Sequence, residues 1–110
     1  PNGGTDRHIV AMLGYIAANY SKVTLRELAE FFSYNESYIS RMLKQHTGKN
    51  FNEIVSDLKV DHARKLIETT DLSISRISQE VGCFDSSHLS KKFRKRYGIS
   101  PKEYREKINR

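Results

Sequence analysis

The two halves of the chain repeat each other at a spacing of about fifty residues. At an offset of 49, Leu25, Leu28 and Ala29 fall on Ile74, Ile77 and Ser78. From the next segment the offset is 50, through Asn35/Asp85, Ser37/Ser87, Ile39/Leu89, Ser40/Ser90, Arg41/Lys91, Leu43/Phe93, Lys44/Arg94, Gly48/Gly98 and Glu53/Glu103. The change of offset puts one additional residue into the turn of the second copy. Caps, apolar positions and terminal glycines align together, which helix propensity alone does not impose. The fold must therefore build one small unit twice.

That unit is helical. Alternating strand patterns with turn dipeptides are absent, whereas helix start signals recur. Thr24-Leu25-Arg26-Glu27 has the capping-box form, in which a hydroxyl accepts a backbone N–H and a glutamate reaches back. Ser100-Pro101-Lys102-Glu103 repeats it with proline at the first helical position. Asn35 and Asp85 are N-cap residues, and Gly48, Gly82 and Gly98 are stop signals because glycine takes φ > 0 cheaply. These marks predict an all-α chain of seven helices, at about 5–20, 24–32, 35–47, 51–69, 73–81, 85–97 and 100–108. The first turns Ile9, Leu13, Ile16 and Tyr20 inward, and the fourth does so with Phe51, Ile54, Val55, Leu58 and Leu66. Pro1-Asn2-Gly3-Gly4 reads as a flexible lead.

Each copy is a short helix, a tight turn and a longer helix, the helix-turn-helix arrangement. The expected organisation is a first helix-turn-helix subdomain with its lead over 1–50, a long linker helix over 51–70 and a second helix-turn-helix subdomain over 71–110. In such a unit the second helix keeps one face exposed. That face carries Glu36, Ser37, Ser40, Arg41 and Lys44 in the first copy, and Ser86, Ser87, Ser90, Lys91 and Arg94 in the second. Short hydroxyls donate to or accept from base edges, and Arg or Lys addresses guanine or a phosphate. Two such heads on one duplex face must reach major-groove segments roughly 34 Å apart. A connecting helix of about 18 residues is roughly 27 Å long, compatible with that demand.

Charge supports a polyanion partner. Nineteen Lys+Arg against 13 Asp+Glu give a net charge of +6. By itself this does not separate nucleic acid from an acidic protein or a membrane surface. Its location does more. Residues 51–110 carry thirteen basic and nine acidic side chains, and Lys91, Lys92, Arg94, Lys95 and Arg96 crowd a stretch without one acid. Leu89, Phe93 and Tyr97 recur there at i, i+4 and i+8, anchoring one helix face and turning cations outward.

The stretch Ile74-x-x-Ile77-Ser78-x-x-x-Gly82-Cys83-Phe84-Asp85-x-Ser87-His88-Leu89-Ser90-Lys91-x-Phe93-Arg94-x-x-x-Gly98-x-Ser100-Pro101-x-x-Tyr104-Arg105 resembles the signature of the AraC/XylS family of bacterial transcription regulators. Leu28-Ala29, Ser37-Tyr38-Ile39-Ser40-Arg41-Met42-Leu43-Lys44 and Thr47-Gly48 resemble that family's other helix-turn-helix, and Ala63, Leu66 and Ile67 fit its linker helix. The resemblance covers about residues 7–108. It implies a monomeric module binding an asymmetric double-stranded DNA site in two adjacent major grooves. It also implies base contacts from Ser37, Ser40, Arg41, Ser86, Ser87, Ser90 and Lys91, and contact with RNA polymerase. Family members often carry a separate sensing or dimerisation domain, expected here in a longer protein. Departures from the pattern are Ser78 for Ala, Cys83 and Leu89 for Phe, His88 for Tyr, Ser33 for a turn Gly, and Lys59 for Arg. They bear on packing and on a phosphate contact. Phosphate contacts are expected from Lys44, Lys91, Lys92, Arg94 and Lys95, with Tyr38 beside the backbone.

Other chemistry is not indicated. His8, His46, His62 and His88 lack metal-ligand spacing, no Gly-rich phosphate loop follows a strand, and no catalytic constellation is present, so neither enzyme activity, metal nor cofactor is expected. Cys83 reads as a buried structural thiol in a reducing cytoplasm. The longest uncharged stretch, Ile9 to Ser21, has 13 residues, short of the roughly 20 that span a bilayer. The rival class is an interaction module whose basic helix binds an acidic protein.

Overall fold

In the computed structural model, which describes residues 3–109, seven helices and no strand occur among the described residues: α1 (Gly3–Asn19), α2 (Leu25–Phe32), α3 (Glu36–Thr47), α4 (Phe51–Thr69), α5 (Ile74–Glu80), α6 (Ser86–Tyr97) and α7 (Pro101–Ile108). The helix starts are fixed locally by side chains that take up otherwise unpaired backbone N–H groups. Thr24, Asn35, Ser73, Asp85 and Ser100 each accept from the backbone N–H three residues on. At Ser100 the reciprocal bond from Ser100 N–H to Glu103 Oε1 completes the box, at 3.0 Å. An unanticipated second box opens α4, where Asn50 N–H reaches Glu53 Oε1 at 3.0 Å and Glu53 N–H reaches Asn50 Oδ1 at 2.8 Å. Asn50 and Ser100 are fifty residues apart, so the repeat extends into the first turns of α4 and α7.

The expected flexible lead is corrected in part: Gly3 and Gly4 are the first residues of α1, while Pro1 and Asn2 lie outside the described residues.

The chain divides into two compact units, 1–55 and 56–110, and the division falls inside α4. In the first unit α1, α2 and α3 pack on one another. Ile9, Met12, Ile16, Val23, Leu28, Ala29, Ile39, Met42 and Leu43 are buried, as are Phe51 and Val55. In the second unit Val60, Ala63 and Ile67 of α4 join Ile77, Val81, Cys83, Leu89 and Phe93 in one core cluster. Most of α4 is thus a wall of the second unit.

The two turns repeat each other bond for bond. Ser33 N–H donates to Glu30 O and Tyr34 N–H to Ala29 O; forty-nine residues on, Gly82 N–H donates to Gln79 O and Cys83 N–H to Ser78 O. Both turns need a left-handed residue, φ 59° at Ser33 and 83° at Gly82. A side chain in that region costs about 1–2 kcal/mol, against roughly 0.5–1 kcal/mol of extra chain entropy that glycine loses on folding. Ser33→Gly is therefore expected to stabilise the first unit by about 0.5–1 kcal/mol, read as a higher urea midpoint. A lower midpoint would contradict this account of the turn.

Candidate nucleic-acid interface

The exposed faces of α3 and α6 are the candidate interface, and the repeat makes them superimpose by position. On α3, Ile39, Met42 and Leu43 are buried, which leaves Ser37, Arg41 and Lys44 exposed and Ser40 partly so. On α6, Leu89 and Phe93 are buried; Ser87, Lys91, Arg94 and Lys95 are exposed, while Ser86 and Ser90 are partly covered. Ser37, Ser40/Arg41 and Lys44 stand at i, i+3/i+4 and i+7, one stripe of a helix, and Ser87, Ser90/Lys91 and Arg94 form the same stripe.

Phe93 anchors α6 at the centre of its core. Its ring lies 4.9 Å from that of Tyr97 and 5.8 Å from that of Tyr104. Arg105 locks α7 to the segment between α4 and α5, donating to Leu72 O at 2.5 Å and Thr70 O at 3.3 Å. Two departures from the family pattern have visible partners. Ser78 is buried, and its hydroxyl donates to Ser75 O at 2.6 Å. Lys59 Nζ donates to Gly82 O at 2.9 Å, tying α4 to the turn before α6.

The five cations of α6 divide by partner, which the sequence does not reveal. Lys91 and Lys95 are exposed and make no ion pair among the described residues, as is true of Arg41 and Lys44 on α3. Arg94 is exposed but bridges Glu103 at 3.2 Å. Lys92 is half-buried, with Nζ donating to Ser56 Oγ at 3.1 Å. The repeat explains it: Lys92 occupies the position of the buried Met42, so its stem points inward and only its head finds a polar partner.

Arg96 faces α4, binding both oxygens of Asp61 at 2.7 and 3.0 Å and Asp57 at 3.2 Å. Tyr97 O–H also donates to Asp61. Burial pushes the Asp61 carboxyl up, but the hydrogen bonds from Arg96 and Tyr97 outweigh it and hold the pKa below the ordinary aspartate value. Hydrogen bonding to Asp61 in turn raises that of Arg96. This cluster fixes the C-terminal end of α6 and withdraws one cation from the exposed face.

Tyr38 is half-buried, its ring 4.4 Å from that of Tyr34, whose hydroxyl meets His8 Nδ1 at 2.7 Å. Cys83 is buried, which pushes its thiol pKa up. Among the described residues no group of three or more His, Cys, Asp or Glu is placed to hold a metal ion, and no helix is long and apolar enough to cross a membrane.

A family model described as a helix-turn-helix domain matches residues 28–107. The chain is 36% identical over 105 residues to the HTH-type transcriptional activator RhaS of Pectobacterium atrosepticum, covering 94% of this chain but 38% of RhaS. The C-terminal domain of AraT, a response regulator from Geobacillus stearothermophilus, superposes with a TM-score of 0.85 at 31% identity, covering 91% of this chain and 84% of that one. The DNA-binding domain of AdpA, solved in complex with a target DNA, shares the fold, with a TM-score of 0.79 at 21% identity over 94% of this chain and 91% of that one.

Proposed function

The chain belongs to the AraC-type helix-turn-helix family of transcription regulators, and we propose that it is a sequence-specific double-stranded DNA-binding module that reads two adjacent major-groove segments with α3 and α6. The observation that carries this is the duplicated face: hydroxyls toward the start of each helix and, one position further on, an exposed cation that makes no ion pair among the described residues, at matching positions of both units. The residues near the start of a recognition helix are those that a docked helix-turn-helix points at bases. The AdpA domain, of the same fold, is bound to DNA in its structure.

Ser37, Ser40 and Arg41 read bases in the first segment, and Ser86, Ser87, Ser90 and Lys91 in the second. Phosphates are met by Lys44, Lys95 and Arg94, the last after leaving an exposed bridge worth under about 1 kcal/mol. Lys92 takes part only by leaving Ser56. The chain spans little more than a third of the length of RhaS. For the intact regulator we infer a cytoplasmic protein with a sensing or dimerisation domain and contact with RNA polymerase.

Two substitutions separate base reading from phosphate binding. Arg41→Ala is expected to reduce affinity for a selected duplex by about 1–3 kcal/mol while changing random-duplex binding little. Lys95→Ala is expected to weaken selected and random duplexes alike. Paired titrations on the two duplexes check this; the same pattern for both variants would refute the division of labour.

A further inference from the structure

The turn before α6 carries an aromatic side chain that the fold does not use. Phe84 is 89% exposed. Phe31 is also exposed, but its ring rests on Tyr15 and Phe32 at centroid distances of 4.5 and 5.0 Å. Phe84 is also the additional residue of the second copy. The turn bonds match Tyr34 to Cys83 and the N-caps match Asn35 to Asp85, so nothing in the first unit corresponds to Phe84.

Its outward position is imposed by hydrogen bonds on every neighbour. Lys59 Nζ holds Gly82 O, Cys83 N–H is held by Ser78 O, and Asp85 Oδ1 accepts from His88 N–H at 2.8 Å. Phe84 N–H itself donates to His88 Nδ1 at 3.4 Å. The ring is displayed from a pinned turn, immediately before the N-cap of the helix whose first residues are Ser86 and Ser87.

We propose that Phe84 is a specificity-determining residue of the second unit, packing against the C5-methyl group of a thymine beside the bases read by α6. This rests on the DNA-binding reading above. In the major groove the thymine methyl is the apolar group that base edges present, so an apolar side chain displayed there favours thymine. The first unit, with Tyr34 tilted against Tyr38 and bonded to His8, has no equivalent preference.

The test uses the whole chain and duplexes selected by it from a random library. Each thymine of the selected sequence is replaced in turn by deoxyuridine, which removes only the methyl. At one thymine the wild-type chain is expected to lose roughly fourfold in affinity, the worth of burying one methyl-sized group. Phe84→Ala is expected to show no loss there, and Phe84→Leu to retain most of it. Unchanged thermal unfolding of both variants shows that the fold is intact, as expected for an exposed position. Equal deoxyuridine effects in wild type and Phe84→Ala at every thymine, or selection of the same thymines by Phe84→Ala, would overturn the proposal while leaving DNA binding in place. A wild-type chain that selects no common sequence would defeat both readings together.

Discussion

Raising salt from 50 to 200 mM is expected to weaken DNA binding by about three orders of magnitude. Displaced counterions set this number. With roughly six phosphates neutralised on B-DNA, log K falls with a slope of about −5 against log[salt]. On the proposed reading Lys44, Arg94 and Lys95 meet phosphates, Lys92 joins them on leaving Ser56, and the base-reading Arg41 and Lys91 add positive charge in the groove that displaces further counterions. Arg96 is committed to Asp57 and Asp61 and contributes little. Fluorescence anisotropy with a labelled duplex across that range checks the slope. A nearly flat dependence would mean that the basic faces of α3 and α6 do not meet phosphate.

Phe93→Ala is expected to cost about 3–5 kcal/mol, the range for truncating a fully buried aromatic residue. Phe93 has no exposed surface and sits among Val60, Ala63, Ile67, Ile77, Val81 and Leu89, with Tyr97 and Tyr104 against its ring. A unit of 55 residues holds only about 3–8 kcal/mol at usual per-residue stabilities, so the substitution removes most of it. Urea unfolding followed by circular dichroism measures the loss, with the exposed Phe84→Ala as a control within about 0.5 kcal/mol of wild type. A cost under about 1 kcal/mol would contradict the central placement of this ring.

The sequence showed most clearly what local chemistry decides. Helix starts at Thr24, Asn35, Asp85 and Ser100 were legible because a cap is a bond between residues three apart. The stripe Ser37–Arg41–Lys44 and its copy Ser87–Lys91–Arg94 were legible for the same reason, since one helix period fixes them. The offset of 50 also matches Lys92 to the buried Met42, an inward position, although the run of like charge places Lys92 among the outward cations.

Contacts between distant segments were not legible. Arg96 and Asp61 lie 35 residues apart, and a run of five like charges gives no sign that one of them turns to α4. The core of α4 was misphased for a related reason. A single stripe continued from Phe51 picks Ile54 and Leu58, which are only half-buried, and passes over Val60, which is buried. The first turn of α4 belongs to one unit and the remainder to the other, so no single stripe describes it. Met12 was missed on α1, where Leu13 was expected inward and is half-buried.

A footprint of the chain on a selected duplex, read by interference with major-groove methylation, tests the two-headed account most directly. Two protected segments about one helical turn apart, 10–10.5 base pairs, are expected, with Arg41→Ala weakening one segment and Lys91→Ala the other. A single protected segment, weakened by only one of these substitutions, would contradict it.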